Sequence, residues 1–329
     1  MPEPTCSEDP ASGDAFVAGR RVDVAHHGLL VFFTLIWGSN FVLAEIALQE
    51  LAAISFSVAR FVAAAGVLLI VLYLRGRATG PRWLGLFPVL HRADWPRLLV
   101  VSLLGATMAP WLGIEGLHLT SSGRAALWLA ICPAVSAGLG FLLRTERLNR
   151  IGLIGLVVAA AGTIGLALDG MAPGRNAWQG DALLFLGICC TAAELHLIKP
   201  LAIAYGATSV VAARTAIGGM LYVAIALPSI AAQPWLSLSA WTWIAILAGG
   251  AIGVGVGQWI KVRALDTLGP TRVVLYGNLV PPATLFLAWL ILGTEPTAVE
   301  IGAGVTIIAG AICLQLGDPH RPKELSVAS

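Results

Sequence analysis

Long apolar stretches, each of roughly 20 residues, recur along the chain and alternate with short polar segments. At a rise of about 1.5 Å per residue, a helix of that length crosses a hydrocarbon core of about 30 Å. The strands of a membrane barrel would be about half as long and would alternate in polarity. The pattern therefore predicts an all-α polytopic membrane protein with ten spans, at residues 28–48, 53–74, 97–117, 120–142, 149–168, 181–201, 208–230, 241–262, 267–292 and 297–316.

The composition agrees with this, since 57% of the 329 residues are hydrophobic and only 12% are charged. Residues 1–27 contain no apolar core followed by a small-residue cleavage site, so we interpret them as a cytoplasmic tail and not as a signal peptide. The five cysteines indicate small packing residues and neither a disulfide framework nor a metal cluster. We expect no cofactor, no metal and no catalytic residue.

The basic residues predict the orientation of the spans. Of the 20 lysines and arginines, Arg175 alone falls in a predicted outside loop, and four arginines fall within spans away from the cytoplasmic span ends. The others lie in segments that share one side of the membrane, which the positive-inside rule assigns to the cytoplasm. Both tails, 1–27 and 317–329, are therefore predicted to be cytoplasmic.

The chain also repeats itself at a distance of 148 or 149 residues. We therefore predict two five-helix halves, 28–168 and 181–316, joined by an external linker at 169–180. An odd number of helices in each half inverts one half relative to the other, an arrangement that secondary transporters use for alternating access. Residues at matching positions are Glu45 and Glu194, Arg124 and Arg272, Trp128 and Tyr276, Pro133 and Pro281, Gly162 and Gly310, and, after a small insertion, Arg60 and Arg214.

Three motifs carry a family resemblance. Pro133 is followed by TERLNRIGLIGLVVAAAG (145–162), Pro281 is followed by TEPTAVEIGAGVTIIAG (294–310), and WGSNF (37–41) lies in the first span. These segments resemble the EamA-type module of the drug/metabolite transporter superfamily, twice over, across residues 28–316. The resemblance implies a multi-pass exporter of small metabolites in a bacterial inner membrane, and the overall pattern is most similar to aromatic amino-acid exporters.

Charged residues within spans are costly and are therefore functional candidates. The topology places one group of charges near the outer surface and the repeat places its counterpart near the inner surface. We expect Arg-Glu pairs that form and break as each mouth closes and opens. The alternative is that each arginine extends to nearby lipid headgroups or braces two helices permanently. The candidate gating residues are Glu45, Arg60 and Arg124 on the outer side and Glu194, Arg214 and Arg272 on the inner side.

Amides, hydroxyls and aromatic rings near the middle of the spans predict a substrate cavity. Such a lining suits a zwitterion or an apolar amine better than a phosphate ester, which would favour basic residues. Tryptophan also anchors helices at interfaces and packs between them, so each aromatic residue has a structural alternative. The candidate cavity residues are Trp37, Ser39, Asn40, Met108, Trp111, Trp128, Cys190, Thr191, Gln258, Trp259, Tyr276 and Asn278.

Glycines and prolines predict helix packing and hinges. Three glycines of the eighth span are four residues apart and share one face, which favours close helix contact over nucleotide binding. Prolines remove backbone hydrogen bonds and let helices flex. These candidates are Gly249, Gly253, Gly257, Pro110, Pro133 and Pro281.

The sequence therefore favours a secondary transporter that exports small neutral amino acids, aromatic or hydrophobic, by alternating access. A broad-specificity exporter of organic cations or drugs is the alternative within the same class. A membrane enzyme or a receptor is disfavoured, because no catalytic motif and no output domain is visible. The expected partners are a small-molecule substrate and membrane lipid, which the basic linker 75–94 would contact, and not nucleic acid.

Overall fold

The computed structural model of the chain describes residues 28, 31–64, 66, 91–142, 149–171, 177–205, 207–256 and 277–316. The regular structure in these ranges is helical, without a strand, which confirms the predicted all-α fold. In chain order the helices are α1 (Val31–Ala47), α2 (Ala53–Ala64), α3 (Arg92–His118), α4 (Ser122–Leu142), α5 (Arg150–Gly170), α6 (Trp178–Tyr205), α7 (Ala207–Ala232), α8 (Ala240–Leu247, continued by a π-helix at Ala248–Val256), α9 (Val280–Leu292) and α10 (Ala298–Leu316).

The lengths of the helices bear on the predicted spans. Helices α3, α4, α5 and α6 and the stretch Ala213–Ala232 of α7 are long and apolar enough to cross a membrane. The other helices are apolar but shorter over the residues that the structure describes. Each of the helices α1 to α10 overlaps one predicted span, and most of residues 65–74 and all of 257–276 lie outside the described ranges. The number of ten crossings therefore stays a prediction.

Turns that the topology predicts on the outside meet at one end of the bundle, which we call the outer end. In the turn after α1, Glu50 Oε2 accepts hydrogen bonds from Ser239 N (2.8 Å) and Thr242 Oγ1 (2.9 Å) at the start of α8. Arg124, in the first turn of α4, forms ion pairs with the end of α5 and the start of α6. The start of α10 also lies within 4 Å of Arg124, at 3.9 Å. At the outer end, hydrogen bonds and ion pairs therefore join the ends of helices from both predicted halves.

Helices α5 and α10, the last of each predicted half, pack against one another. A Cβ atom on Gly155 would lie 2.7 Å from the carbonyl oxygen of Gly310, and one on Gly162 would lie 3.1 Å from the carbonyl oxygen of Ala303. Residue numbers rise along α5 as they fall along α10, so the helices are antiparallel. An offset of 148 converts Gly155 to Ala303 and Gly162 to Gly310. The two contacts are thus related as a pseudo-twofold axis would relate them.

Helix breaks occur at matching positions in the two halves. Helix α4 is interrupted at Ile131 and resumes at Cys132, and α9 begins at Val280, which is 148 residues beyond Cys132. The cause is local, because Pro133 and Pro281 have no N–H to donate to the carbonyl four residues earlier. The predicted hinge positions at Pro133 and Pro281 therefore coincide with an interruption in α4 and with the start of α9.

Two further irregularities follow the same offset. The π-helix at Leu103–Met108 in α3 corresponds to residues 251–256, which lie within the π-helix Ala248–Val256 of α8. The N-cap residues of α5 and α10, Asn149 and Thr297, are also 148 apart, and each side chain accepts a backbone N–H from the first helical turn. π-Helical segments are rare and occur often at functional sites. The middle of α3 and the middle of α8 are therefore candidate functional regions.

The contact between α5 and α10 gives a test of the packing. In Gly310→Ala, the new Cβ would lie 2.5 Å from Ala159 N and 2.7 Å from Gly155 O, which are backbone atoms that must shift. We expect the variant to lose about 1–3 kcal/mol of stability, as overpacked cores do. The measurement is thermal unfolding in detergent. The control is Gly302→Ala in the same helix, where nothing lies within 4 Å of the added Cβ. Equal unfolding temperatures for the two variants would contradict this packing.

Candidate functional site

Arg124 is buried, with 2% of its surface exposed, and forms a dense set of polar contacts. Its Nε and Nη2 donate to Asp181 Oδ1 and Oδ2 at 2.8 and 2.6 Å, and its Nη1 donates to Asp169 Oδ2 at 2.9 Å. Nη2 also donates to the carbonyl of Leu166, and Glu300 Oε1 lies 3.9 Å from Nη1. A buried charge costs several kcal/mol unless it is paired and hydrogen-bonded, and these acceptors meet that need. We call Arg124, Asp169, Asp181 and Glu300 the outer polar network.

The predicted ion pair between Glu45 and Arg124 is not formed in this conformation. Glu45 Oε2 instead accepts the backbone N–H of Ser122 at 2.7 Å, and Ser121 Oγ accepts the backbone N–H of Arg124 at 3.3 Å. The first N–H groups of a helix lack partners within the helix and carry partial positive charge, so a carboxylate there is favourable. The correction is therefore that Glu45 caps α4, while the side chain of Arg124 binds two aspartates.

Sequence reasoning missed Asp169 and Asp181 because both lie where predicted spans end and the external linker begins. Their positions at opposite sides of that linker, 12 residues apart, were the available signal. The ion pair of Arg124 with Asp181 also requires a glycine at position 170, next to Asp169, because a Cβ atom there would collide with Asp181 Oδ2 and Arg124 Nη2. The end of α5 therefore has to be free of a side chain for the ion pair to form.

Trp128 was predicted to line the substrate cavity, but its indole N–H forms a hydrogen bond with the outer polar network instead. Its Nε1 donates to Asp181 Oδ1 at 2.7 Å, and its ring lies 5.9 Å from that of Phe185, centroid to centroid. The side chain is 4% exposed. Trp128 thus extends the outer polar network one turn deeper along α4.

Carboxylates also cap α8 and α10 at the outer end. Glu50 accepts from the start of α8, and hydrogen bonds from the backbone of Ser239 and from the side chains of Ser239 and Thr242 hold the pKa of the Glu50 carboxyl below its ordinary value. Thr297 N donates to Glu300 Oε2 at 2.9 Å, and Glu300 N donates to Thr297 Oγ1 at 3.2 Å, which is a capping box. Glu300 therefore connects the start of α10 to Arg124.

The other predicted charge pairs differ between the two halves. Arg214 Nη1 lies 3.2 Å from Glu194 Oε1, so the inner pair of α6 and α7 is present. Its counterpart would join Glu45 and Arg60, but Arg60 Nη1 donates to Asn40 Oδ1 at 3.0 Å while Glu45 caps α4. Matching residues in the two halves thus hold different partners.

A small cavity of about 60 Å³ lies between α1 and α8. It is lined by Ser39 and Asn40 from α1, which were predicted to contact substrate, and by Gly249 and Gly253 from α8, which were predicted to permit close packing. A Cβ on Gly253 would lie 2.8 Å from Asn40 Nδ2, so the glycine face does receive a neighbouring side chain closely. These four predicted residues are brought together.

The remaining predicted cavity residues are dispersed. Trp37 packs against Phe33 on its own helix, and Trp111 packs in a cluster with Val58, Tyr222 and Ala226. Thr191 Oγ1 donates to Gly187 O at 3.1 Å within α6, next to the buried Cys190. Met108 ends the π-helix of α3 and Pro110 follows it. Asn278 is buried, and its Nδ2 has no acceptor among the described residues. Outside the described ranges lie Gly257, Gln258, Trp259, Arg272 and Tyr276.

A larger cavity, of about 460 Å³, lies among α4, α5 and α6. Its lining is apolar apart from Thr163, and includes Ile131, Leu142, Leu156 and Phe185. It contains none of the residues predicted to bind substrate. We therefore do not assign the substrate site to it.

The apolar helices of membrane-spanning length, with buried polar groups between them, are those of a multi-pass helical membrane protein. The chain belongs to the EamA-like transporter family, whose model matches it twice, at residues 27–168 and 178–316. This confirms the predicted family. Members of that family are transporters, so the chain is a transporter and not an enzyme.

Two relatives and one solved structure are similar to the chain. An uncharacterized transporter of Archaeoglobus fulgidus is 26% identical over 286 residues, covering 86% of this chain and 95% of the relative. A protein of Streptantibioticus cattleyicolor named as a probable terminal-alkyne amino-acid exporter is 26% identical over 306 residues, covering 90% of this chain and 95% of the relative. A crystal structure with 17% identity matches 90% of this chain and 99% of its own with a TM-score of 0.58, which shows a shared fold.

The outer polar network predicts a large effect for the loss of its cation. Arg124→Gln would leave Asp169 and Asp181 facing one another without a compensating charge. Breaking a buried ion pair from one side costs about 3–5 kcal/mol, so we expect a clear fall in the unfolding temperature in detergent. The matched control is Arg150→Gln at the exposed start of α5. If the two variants unfold at the same temperature, Arg124 does not stabilise the outer end.

Proposed function

We propose that the protein is a secondary transporter of a bacterial inner membrane that exports small neutral amino acids, aromatic or hydrophobic, by alternating access. The observation that carries this proposal is the double match to the family model, at residues 27–168 and 178–316. It coincides with the two halves that the internal repeat predicts. A transporter built from two related halves has the symmetry that alternating access requires.

Three structural features support ten helices in two inverted repeats. The contacts of Gly155 with Gly310 and of Gly162 with Ala303 exchange under an offset of 148, and they join antiparallel helices. The breaks of α4 and α9 and the π-helices of α3 and α8 follow the same offset. Antiparallel pairing of equivalent helices is what an inverted repeat produces. Most lysines and arginines lie in segments on the side of the membrane opposite the outer end. The positive-inside rule makes that side the cytoplasm, and both termini lie on it.

The asymmetry between the halves supports alternating access. Near the inner end, Glu194 is paired with Arg214, while the matching outer residues Glu45 and Arg60 are apart. At the outer end, Glu50 from the first half holds Ser239 from the second. Two symmetric halves with different contacts are expected of a transporter in one of its two conformations. The Glu50–Ser239 contact between the two halves closes the outer mouth in this conformation, so the separation of Glu45 from Arg60 does not indicate an open outer mouth.

The substrate class rests on the cavity and on a relative. Ser39 and Asn40 line a cavity near the middle of α1 with uncharged polar groups, as expected for a solute without net charge. The Streptantibioticus cattleyicolor relative carries the name of an amino-acid exporter. A broad-specificity exporter of organic cations is the second candidate, and the buried cation Arg60 beside Asn40 disfavours it.

Counterflow in proteoliposomes tests the proposed function. Vesicles that contain the protein and unlabelled phenylalanine should accumulate external labelled phenylalanine above the level of protein-free vesicles. Parallel assays use threonine and a quaternary amine, each loaded against its own label. Accumulation of the amine alone would replace the proposal with an organic-cation exporter, and no accumulation of any of the three would contradict it.

A further inference from the structure

Arg60 differs from Arg124 and Arg214, the other described arginines among the four candidate intramembrane arginines. Arg124 binds two aspartates and Arg214 pairs with Glu194, but the one hydrogen bond of Arg60 within the described residues goes to a neutral amide oxygen, on Asn40. Arg60 is 9% exposed, and its buried Nε has no hydrogen-bond partner among the described residues. Its guanidinium lies 5.3 Å from the centre of the Phe56 ring, which compensates a buried charge only weakly. The site therefore favours an anion.

Arg60 also fixes which way the side chain of Asn40 points. Arginine has only hydrogen-bond donors, so the atom of Asn40 that faces it has to be the oxygen. The amide nitrogen then points the other way, and a Cβ atom on Gly253 would lie 2.8 Å from it. Gly253 and Asn40 both line the cavity between α1 and α8. The cavity consequently presents an N–H donor that is oriented by a positive charge behind it.

Ser39 presents the opposite polarity to the same cavity. Its hydroxyl donates to Ile36 O at 2.9 Å, within α1. Because that hydroxyl has a single proton, what it offers the cavity is an acceptor. A donor on Asn40 and an acceptor on Ser39, at adjacent positions, match the carboxylate and the ammonium of a zwitterion.

The size and location of the cavity fit one end of a substrate. Its volume of about 60 Å³ is small, which suits one polar end of a substrate such as its carboxylate. Asn40 and Arg60 each lie seven residues from the outer ends of α1 and α2, which places them about 10 Å deep at 1.5 Å per residue. The glycines of α8 keep this depth open, since a Cβ on Gly249 would lie 3.1 Å from Asn40 Oδ1.

We propose that Asn40 and Arg60 form the carboxylate-binding site of the transported amino acid, with Asn40 donating directly to the carboxylate and Arg60 supplying the positive charge. Ser39 accepts from the ammonium group. The proposal rests on the proposed function and names the part of the substrate that is recognised. It requires that a ligand without a carboxylate bind more weakly and that Arg60 be responsible for the difference.

Binding of three probes to the purified full-length protein in nanodiscs tests this site. The probes are phenylalanine, phenethylamine, which lacks the carboxylate, and 3-phenylpropionate, which lacks the ammonium. In the wild type, phenylalanine should bind on the order of tenfold or more tightly than phenethylamine, as expected for a hydrogen bond to a charged group. In Arg60→Gln and in Asn40→Ala, that preference should fall to about one, with phenethylamine binding unchanged.

Val62→Ala, an exposed position on the same helix, is the control and should keep the wild-type preference. Asn40→Ala retains Arg60, so the preference for phenylalanine over phenethylamine can still be measured in that variant if Arg60→Gln does not fold. An unchanged preference in both variants would overturn the carboxylate site, even if phenylalanine counterflow persists. If phenylalanine neither binds nor moves but 3-phenylpropionate binds and depends on Arg60, the site stands and the proposed function fails. Equal binding of all three probes to the wild type would also overturn the site.

Discussion

A charge stays inside a bilayer only if protein groups replace the water that it has lost, and Arg124 meets this condition through Asp169 and Asp181. The two aspartates come from the end of α5 and the start of α6, so solvating one guanidinium brings three helices together. The same requirement applies to the unpaired N–H groups at helix starts, which Glu45 and Glu50 accept at α4 and α8. Apolar helix surfaces gain little by contacting one another in lipid, so these polar contacts determine which helix ends meet.

This arrangement has a consequence for transport. The polar contacts at the outer end join the two halves, while the helix interiors that they enclose contain breaks and π-helical segments at matching positions. Polar contacts can be exchanged one for another, whereas the glycine-mediated contact of α5 with α10 brings backbone atoms of the two helices close together. The structure thus combines a closely packed pair of helices with helix ends that are held by replaceable bonds, a combination that suits the proposed alternating access.

The sequence predicted those features that depend on local chemistry. The prolines at positions 133 and 281 were predicted as hinges and coincide with the interruption of α4 and the start of α9, and the glycine spacing of α8 predicted the close-packing face that receives Asn40. The sequence did not predict the partner of a side chain where that partner depends on which helices are neighbours. Arg124 was recognised as a costly charge and was grouped with Glu45 by its depth near the outer surface, whereas the fold brings Asp181 within 2.6 Å. Hydrophobic patterns determine that a span exists, and they carry little information on the rotation of one span against another.

The most direct test of the account is whether the outer end must open during transport. Glu50→Cys and Ser239→Cys, combined in one chain, would place thiols at the contact between the two halves. A short reducible bifunctional thiol reagent should link them and stop phenylalanine counterflow, and reduction should restore it, while each single variant treated in the same way keeps its activity. Counterflow at the unlinked rate while the link is intact would contradict the account.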